Sequence, residues 1–223
     1  MIEQFTHTLC QARYWIEESQ GRAAILGKEQ DRGQTLDYQT YRAGFRKIAS
    51  STNTRTMIAT VISPNFQAEN FQSVLRCSEG SETPPNNHQC LYLVSVWNSF
   101  IVDYALRSRI SANINFFYVY QLPVPRLTTG DKYFTDIVQR AAKLICTAPE
   151  FDELAQEVGL NSHREGVTDE TERAKLRAEL DGIIAHLYGL TDAEFAYILT
   201  TFPIVPETVK QAALEAYRTF LCM

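Results

Sequence analysis

Four cations, Arg42, Arg46, Lys47 and Arg55, fall in a window with no acidic residue between Asp37 and Glu69. Among them runs Ser50-Ser51-Thr52-Asn53-Thr54, short side chains that donate and accept hydrogen bonds. A second group, Arg107, Arg109, Asn113, Asn115 and Arg126, lies between Glu82 and Asp131, where Asp103 is the one acid. Guanidinium and ammonium groups neutralise phosphates, and Arg and Asn pair in bidentate fashion with guanine and adenine edges. Arginines set among Ser, Thr and Asn on a turn therefore suit a loop that reads DNA. A hydrophilic hairpin with solvated charges is the plainer account of the same residues.

Motifs for catalysis are absent. The chain has no GxGxxG and no GxxxxGK[ST] phosphate loop. It also has no GxSxG nucleophile elbow, no HExxH and no deaminase-type CxxC. None of the lysines at 28, 47, 132, 143, 175 and 210 has an acid two positions earlier, as a metal-dependent nuclease would require. The lone Pro-Pro, Thr83-Pro84-Pro85-Asn86, has the wrong neighbours for the Asn/Asp-Pro-Pro-aromatic motif of an adenine-N6 methyltransferase. Cysteines 10, 77, 90, 146 and 222 and four scattered histidines show neither a disulfide pattern nor ligand spacing, as expected of a reduced cytoplasmic protein. These features describe a chain that is not an enzyme, with no metal or cofactor of its own.

The elements that would position the two cationic groups follow from composition and periodicity. The chain has 223 residues, 45% hydrophobic, and a formal net charge of −5. The charge is uneven: residues 1–130 carry 12 Lys and Arg against 10 Asp and Glu, and residues 131–223 carry 9 against 16. No signal peptide precedes the first elements, and the apolar run Cys90–Leu106 is too short and too polar to span a membrane. Tyr14-Trp15-Ile16 has a β-like composition and precedes a polar stretch with Gly21, Gly27 and Gly33. Residues 44–50 and 56–62 predict two strands joined by the polar linker 51–55, with a further strand over 70–77. The asparagines of the loop 79–89 cap a helix expected from about 88 to 109, apolar on nearly every face and so buried.

After the aromatic and proline-rich corner "ANINFFYVYQLPVPR" (112–126) only helices are expected. They run over 131–147, over 169–188 with Gly189 as C-cap, from the capping box Thr191-Asp-Ala-Glu194 to Pro203, and from Pro206 to about Phe220. The fold class is α+β: a mixed unit over 1–126 with a buried helix, then a helical extension over 127–223. Phe116, Phe117 and Leu122–Pro125 are assigned to the architecture of the corner, and Tyr118 and Tyr120 to packing there.

The stretches "RYWIEE", "GFRKIASSTNTRTMIATVIS", "LVSVWNSFIVDYALR", "NINFFYVYQLPVP" and "HLYGLTDAEFAYILTTFPIV" resemble, in this order, the C-terminal region of bacterial restriction-modification proteins. Those proteins fuse an adenine-N6 methyltransferase, sometimes with a nuclease, to a TaqI-like target-recognition domain. The resemblance covers about Arg13 to Val205. It departs from the family at Ser111-Ala112, where a glycine pair is usual, and its helical extension is shorter.

The resemblance implies a DNA-binding target-recognition (specificity) domain that reads duplex DNA for a methyltransferase or endonuclease partner. Its methylase half, with the S-adenosylmethionine site, would lie ahead of Met1, so the chain is expected to be a fragment, a split-gene product or an expressed domain. A methyltransferase must turn an adenine out of the duplex, so the DNA must be gripped meanwhile. The residues assigned to that grip are Arg42, Arg46, Lys47, Ser51, Thr52, Asn53 and Arg55, with Arg107, Arg109, Asn113 and Asn115 as a second patch. The acidic extension is expected to pack on this unit or on the catalytic half. The alternative is a helical docking module of the same system with little DNA binding of its own.

Overall fold

The computed structural model describes residues 3–6, 15–50, 52–67, 71–74, 85–110 and 112–221. Its class is α+β. Three strands, β1 (Arg42–Arg46), β2 (Ala59–Ile62) and β3 (Phe71–Ser73), form an antiparallel sheet in the order β2-β1-β3. Arg42 lies opposite Ile62 and Phe45 opposite Ala59, so β1 and β2 are the expected hairpin, with shorter strands and a longer connection. The sheet places Phe45 edge-on to Trp97, ring centroids 5.5 Å apart.

Trp97 lies on α2 (Asn87–Asn98), whose N-terminus closes as expected. The Asn86 side chain accepts from the Gln89 backbone N–H, and the Gln89 side chain accepts from the Asn86 N–H. The expected single helix over 88–109 is instead two, because the chain breaks at Ser99 before α3 (Phe100–Arg107). Ser99 is extended, and its hydroxyl donates to the Val96 carbonyl and accepts from the Val102 N–H, ending one helix and capping the next. Asn98 gains from the break. Its side-chain amide pairs with both the N–H and the carbonyl of Ala59, at 2.9 Å each, and fastens α2 to β2.

One expectation for the first segment is corrected. Trp15 and Ile16 are exposed and lie in no strand, while Tyr14 falls outside the described residues. The glycine-containing stretch after them holds a helix, α1 (Glu18–Leu26). Gly21 is accommodated there because a Cβ would lie 2.4 Å from the Phe66 ring, and Gly27, at φ 60°, ends the helix.

At the corner the chain forms a short helix, α4 (Phe116–Val119), rather than extended structure. The prolines are held from two sides: the Tyr92 hydroxyl donates to the Pro125 carbonyl at 2.8 Å, and the Tyr188 hydroxyl donates to the Pro123 carbonyl at 2.7 Å. Beyond the corner come α5 (Phe134–Ile145), α6 (Asp152–Glu157), α7 (Glu170–Leu187), α8 (Asp192–Thr200) and α9 (Glu207–Leu221). The Thr191–Glu194 capping box, the positive φ of Gly189 and the helix start after Pro206 stand where expected. The short helix α6 lies between the helices expected over 131–147 and 169–188.

α2 packs on the sheet on one side and on α5 on the other, α5 packs on α7, and α7 packs on α9. One hydrophobic cluster therefore runs through both sides of the 126/127 boundary, from Ala43 and Phe45 to Phe195 and Tyr217. Gly182 lets α7 and α9 meet closely, since a Cβ there would lie 2.6 Å from the Tyr217 nitrogen. No helix among the described residues is long and apolar enough to cross a membrane.

Candidate nucleic-acid interface

The two cationic groups, about sixty residues apart in sequence, meet in one place. Ile48 and Asn113 form an antiparallel bridge. The Ala49 N–H donates to the Ala112 carbonyl at 3.0 Å, and the Ile114 N–H donates to the Lys47 carbonyl at 2.8 Å. The chain leaving β1 is thus zipped to the segment leaving α3. Arg46, Lys47, Thr52 and Asn53 from the first group join Asn113 and Asn115 from the second, with Arg109 just before them. Thr52, Arg109, Asn113 and Asn115 are exposed, and Arg46, Lys47 and Asn53 are half-buried. Ser51 lies outside the described residues.

The loop itself is tied down. The Ser50 and Thr52 hydroxyls lie 2.7 Å apart, the Asn53 N–H donates to the Ser50 carbonyl at 3.2 Å, and the Thr56 hydroxyl donates to the same carbonyl at 3.3 Å. Such a loop presents its side chains without a large ordering cost on binding. Arg46 uses its Nε to hold the Ile48 carbonyl at 2.9 Å. Asn115 precedes α4 without capping it through its side chain, and Arg109 Nη1 reaches Gln121 Oε1 at 3.5 Å.

Three of the expected contact residues instead serve the interior. Arg42 is 6% exposed and donates to the Asn65 carbonyl. The Arg55 side chain is 12% exposed; its Nε lies 3.3 Å from Asp103, its Nη2 lies 3.8 Å from Asp181 and donates to the Asn98 carbonyl, and its guanidinium covers the Phe100 ring at 3.8 Å. Arg107 stacks over Phe202 at 4.5 Å and donates to the Asn53 and Thr54 carbonyls. For Arg55 and Arg107 the reason is Asp103, fully buried, which accepts the Thr56 N–H on both oxygens, at 3.1 and 3.0 Å. A carboxylate at that depth draws a cation inward. Arg55 and Arg107 therefore shape the loop from behind.

Burial raises the carboxyl pKa of Asp103, and it pushes that of Asp181 up to about 6, in both cases against the pull of Arg55. For Asp181 the folded value lies above the ordinary 3.8, so the folded state holds its proton to higher pH than the unfolded state. Stability from this group is then greatest below about pH 4, falls as pH rises towards about 6, and stays reduced above. Asp181→Asn keeps an acceptor for the Phe100 N–H, which Asp181 Oδ1 accepts at 2.9 Å. The variant is expected to gain stability over the parent at pH 7.5 and to lose that advantage by about pH 4, as urea unfolding at the two pH values would record.

A cleft of about 1020 Å³ borders the loop, with Arg46, Asn53 and Thr54 on its walls together with Glu3, Glu170 and Arg177. Arg177 and Glu170 are already paired with each other. Among the described residues no group of His, Cys, Asp and Glu is placed to hold a metal ion. Two exposed side chains that the sequence reading assigned to packing stand beside the interface: Phe117 is 68% exposed and Tyr120 is 80% exposed. Compared with protein-family models, curated proteins and solved structures, the chain matches none of them.

Proposed function

We propose that this protein binds double-stranded DNA through the loop after β1 and the segment after α3, as the target-recognition part of a restriction-modification system. The observation that carries the reading is the bridge between Ile48 and Asn113, which lays the chain segment that carries Arg46 and Lys47 beside the one that carries Arg109, Asn113 and Asn115. The cations supply phosphate contacts, and Thr52, Asn53, Asn113 and Asn115 supply groups able to pair with base edges. The helical part carries the excess of acids and supports the reading unit by packing α5 on α2, while Glu170 and Arg177 reach the cleft beside the loop. A methyltransferase or endonuclease partner would carry S-adenosylmethionine and perform the chemistry.

Alanine at Arg46, Lys47 or Arg109 is expected to weaken binding to a labelled mixed-sequence duplex about equally for all sequences. Each loss should reduce the slope of log affinity against log salt by about one. Fluorescence anisotropy of each variant checks this, and unchanged affinity in all three contradicts the assignment.

A second reading, a helical docking module for the catalytic partner, draws on a cleft of about 880 Å³ along α7 and α9, lined by Ala174, Ala178, Val205, Val209, Ala212 and Phe220 among others. Docking alone produces no counterion-release slope with duplex DNA.

A further inference from the structure

Phe117 and Tyr120 leave most of their rings exposed, 68% and 80%. Phe116 supplies the anchor of α4, its ring edge-on to Phe45 with centroids 5.5 Å apart. Tyr120 stacks on the outer side of that anchor, 5.6 Å from Phe116 at 21°, and Phe117 meets Tyr118 edge-on at 5.5 Å. Both exposed rings are thus backed by other rings that limit their motion. Spacing of three residues on a helical turn puts Phe117 and Tyr120 on the same side of α4.

The chain segment that carries these rings holds no acid of its own. No acidic residue lies between Asp103 and Asp131, and Asp103 is buried. Arg109 reaches Gln121, next to Tyr120, and the exposed Asn113 and Asn115 lead into α4. Rigid aromatic faces beside cations and amides are the components of a base-stacking platform, in which the ring takes the face of a base and the cation its phosphate.

Building on the DNA-binding reading above, we infer that Phe117 and Tyr120 form a stacking platform for an unpaired base. The ligand is then DNA in which a base has left the helical stack, held at the same face that grips the flanking duplex.

The test uses the full chain and three probes: a matched duplex, the same duplex with 2-aminopurine opposite an abasic site, and the corresponding single strand. The expected result is affinity roughly ten-fold higher for the duplex with the unpaired base, within the range that one base–aromatic stack supplies. A change in 2-aminopurine fluorescence should accompany binding. Phe117→Ala and Tyr120→Ala should each reduce that preference while leaving matched-duplex affinity unchanged, and Phe117→Trp should restore it.

Matched-duplex binding with no preference for the unpaired base overturns the platform and leaves the DNA-binding reading standing. Failure to bind any of the three probes at low salt overturns both. Concentration-dependent self-association abolished by Tyr120→Ala, with no effect on the unpaired-base probe, identifies these rings as a protein contact and overturns the platform.

Discussion

Arg55→Met is expected to destabilise the protein by about 3–5 kcal/mol, the range for removing one partner of a buried ion pair. The guanidinium lies between Asp103, which has no exposed surface, and Asp181, and it also stacks on Phe100 and donates to the Asn98 carbonyl. Without it, two carboxyls that burial already drives towards the neutral form lose the nearest positive charge. A domain of ordinary stability, about 5–15 kcal/mol, would keep little margin. Urea unfolding at pH 7 checks the size. Adding Asp103→Asn to Arg55→Met should recover part of the loss, because it removes the stranded charge, and an unchanged midpoint in the single variant refutes the buried-pair account. Weaker DNA binding by this variant would report unfolding, not a lost phosphate contact.

The second large effect is expected at Arg173, on α7. It is 1% exposed and donates to three backbone carbonyls, Leu144 and Val167 at 2.7 Å and Phe5 at 2.8 Å. Leu144 belongs to the last turn of α5, where carbonyls lack helical partners and a cation is favoured. Phe5, at φ 52°, is buried and donates its own N–H to Ala59, so Arg173 holds the first described residues against the sheet. Arg173→Met fills much of the volume but leaves two buried carbonyls, Leu144 and Phe5, and the part-buried Val167 carbonyl without this donor. With a loss of about 1–3 kcal/mol for each buried unsatisfied group, the total should be at least about 2 kcal/mol. Hydrogen exchange should show the fastest new opening near residues 3–6 and 167, and uniform opening across the chain would argue against this local role.

Local signals in the sequence located the helices well where caps are short-range. Asn86 with Gln89, Thr191 with Glu194, Gly189 and Pro206 each act within a few residues of themselves, so their types alone mark the ends. The break at Ser99 was obscured because an apolar run without proline or glycine reads as continuous. Only the polar pair Asn98-Ser99 marked the point where the Asn98 carbonyl turns to Gln4 and Arg55 and its side chain to Ala59. The same limit applied to the interface. Type and spacing picked out two cationic groups, but the Ile48–Asn113 bridge that joins them is a long-range pairing. Whether an arginine points out or in depended on partners far along the chain: Asp103 and Asp181 for Arg55, Phe202 for Arg107, and Asn65 for Arg42. Phe117 and Phe116 are indistinguishable by composition, yet one is exposed and the other packs on Phe45.

The central claim is that Arg46, Lys47 and Arg109, on the two bridged segments, grip duplex DNA through its phosphates. Anisotropy of the full chain with a labelled mixed-sequence duplex, titrated at several salt concentrations from roughly 50 to 200 mM, addresses it directly. Three phosphate contacts predict a linear fall of log affinity with log salt at a slope of about −2.7, by the relation of about −0.9 per phosphate neutralised. Affinity that is absent at the lowest salt, or that does not change across the range, would contradict the account.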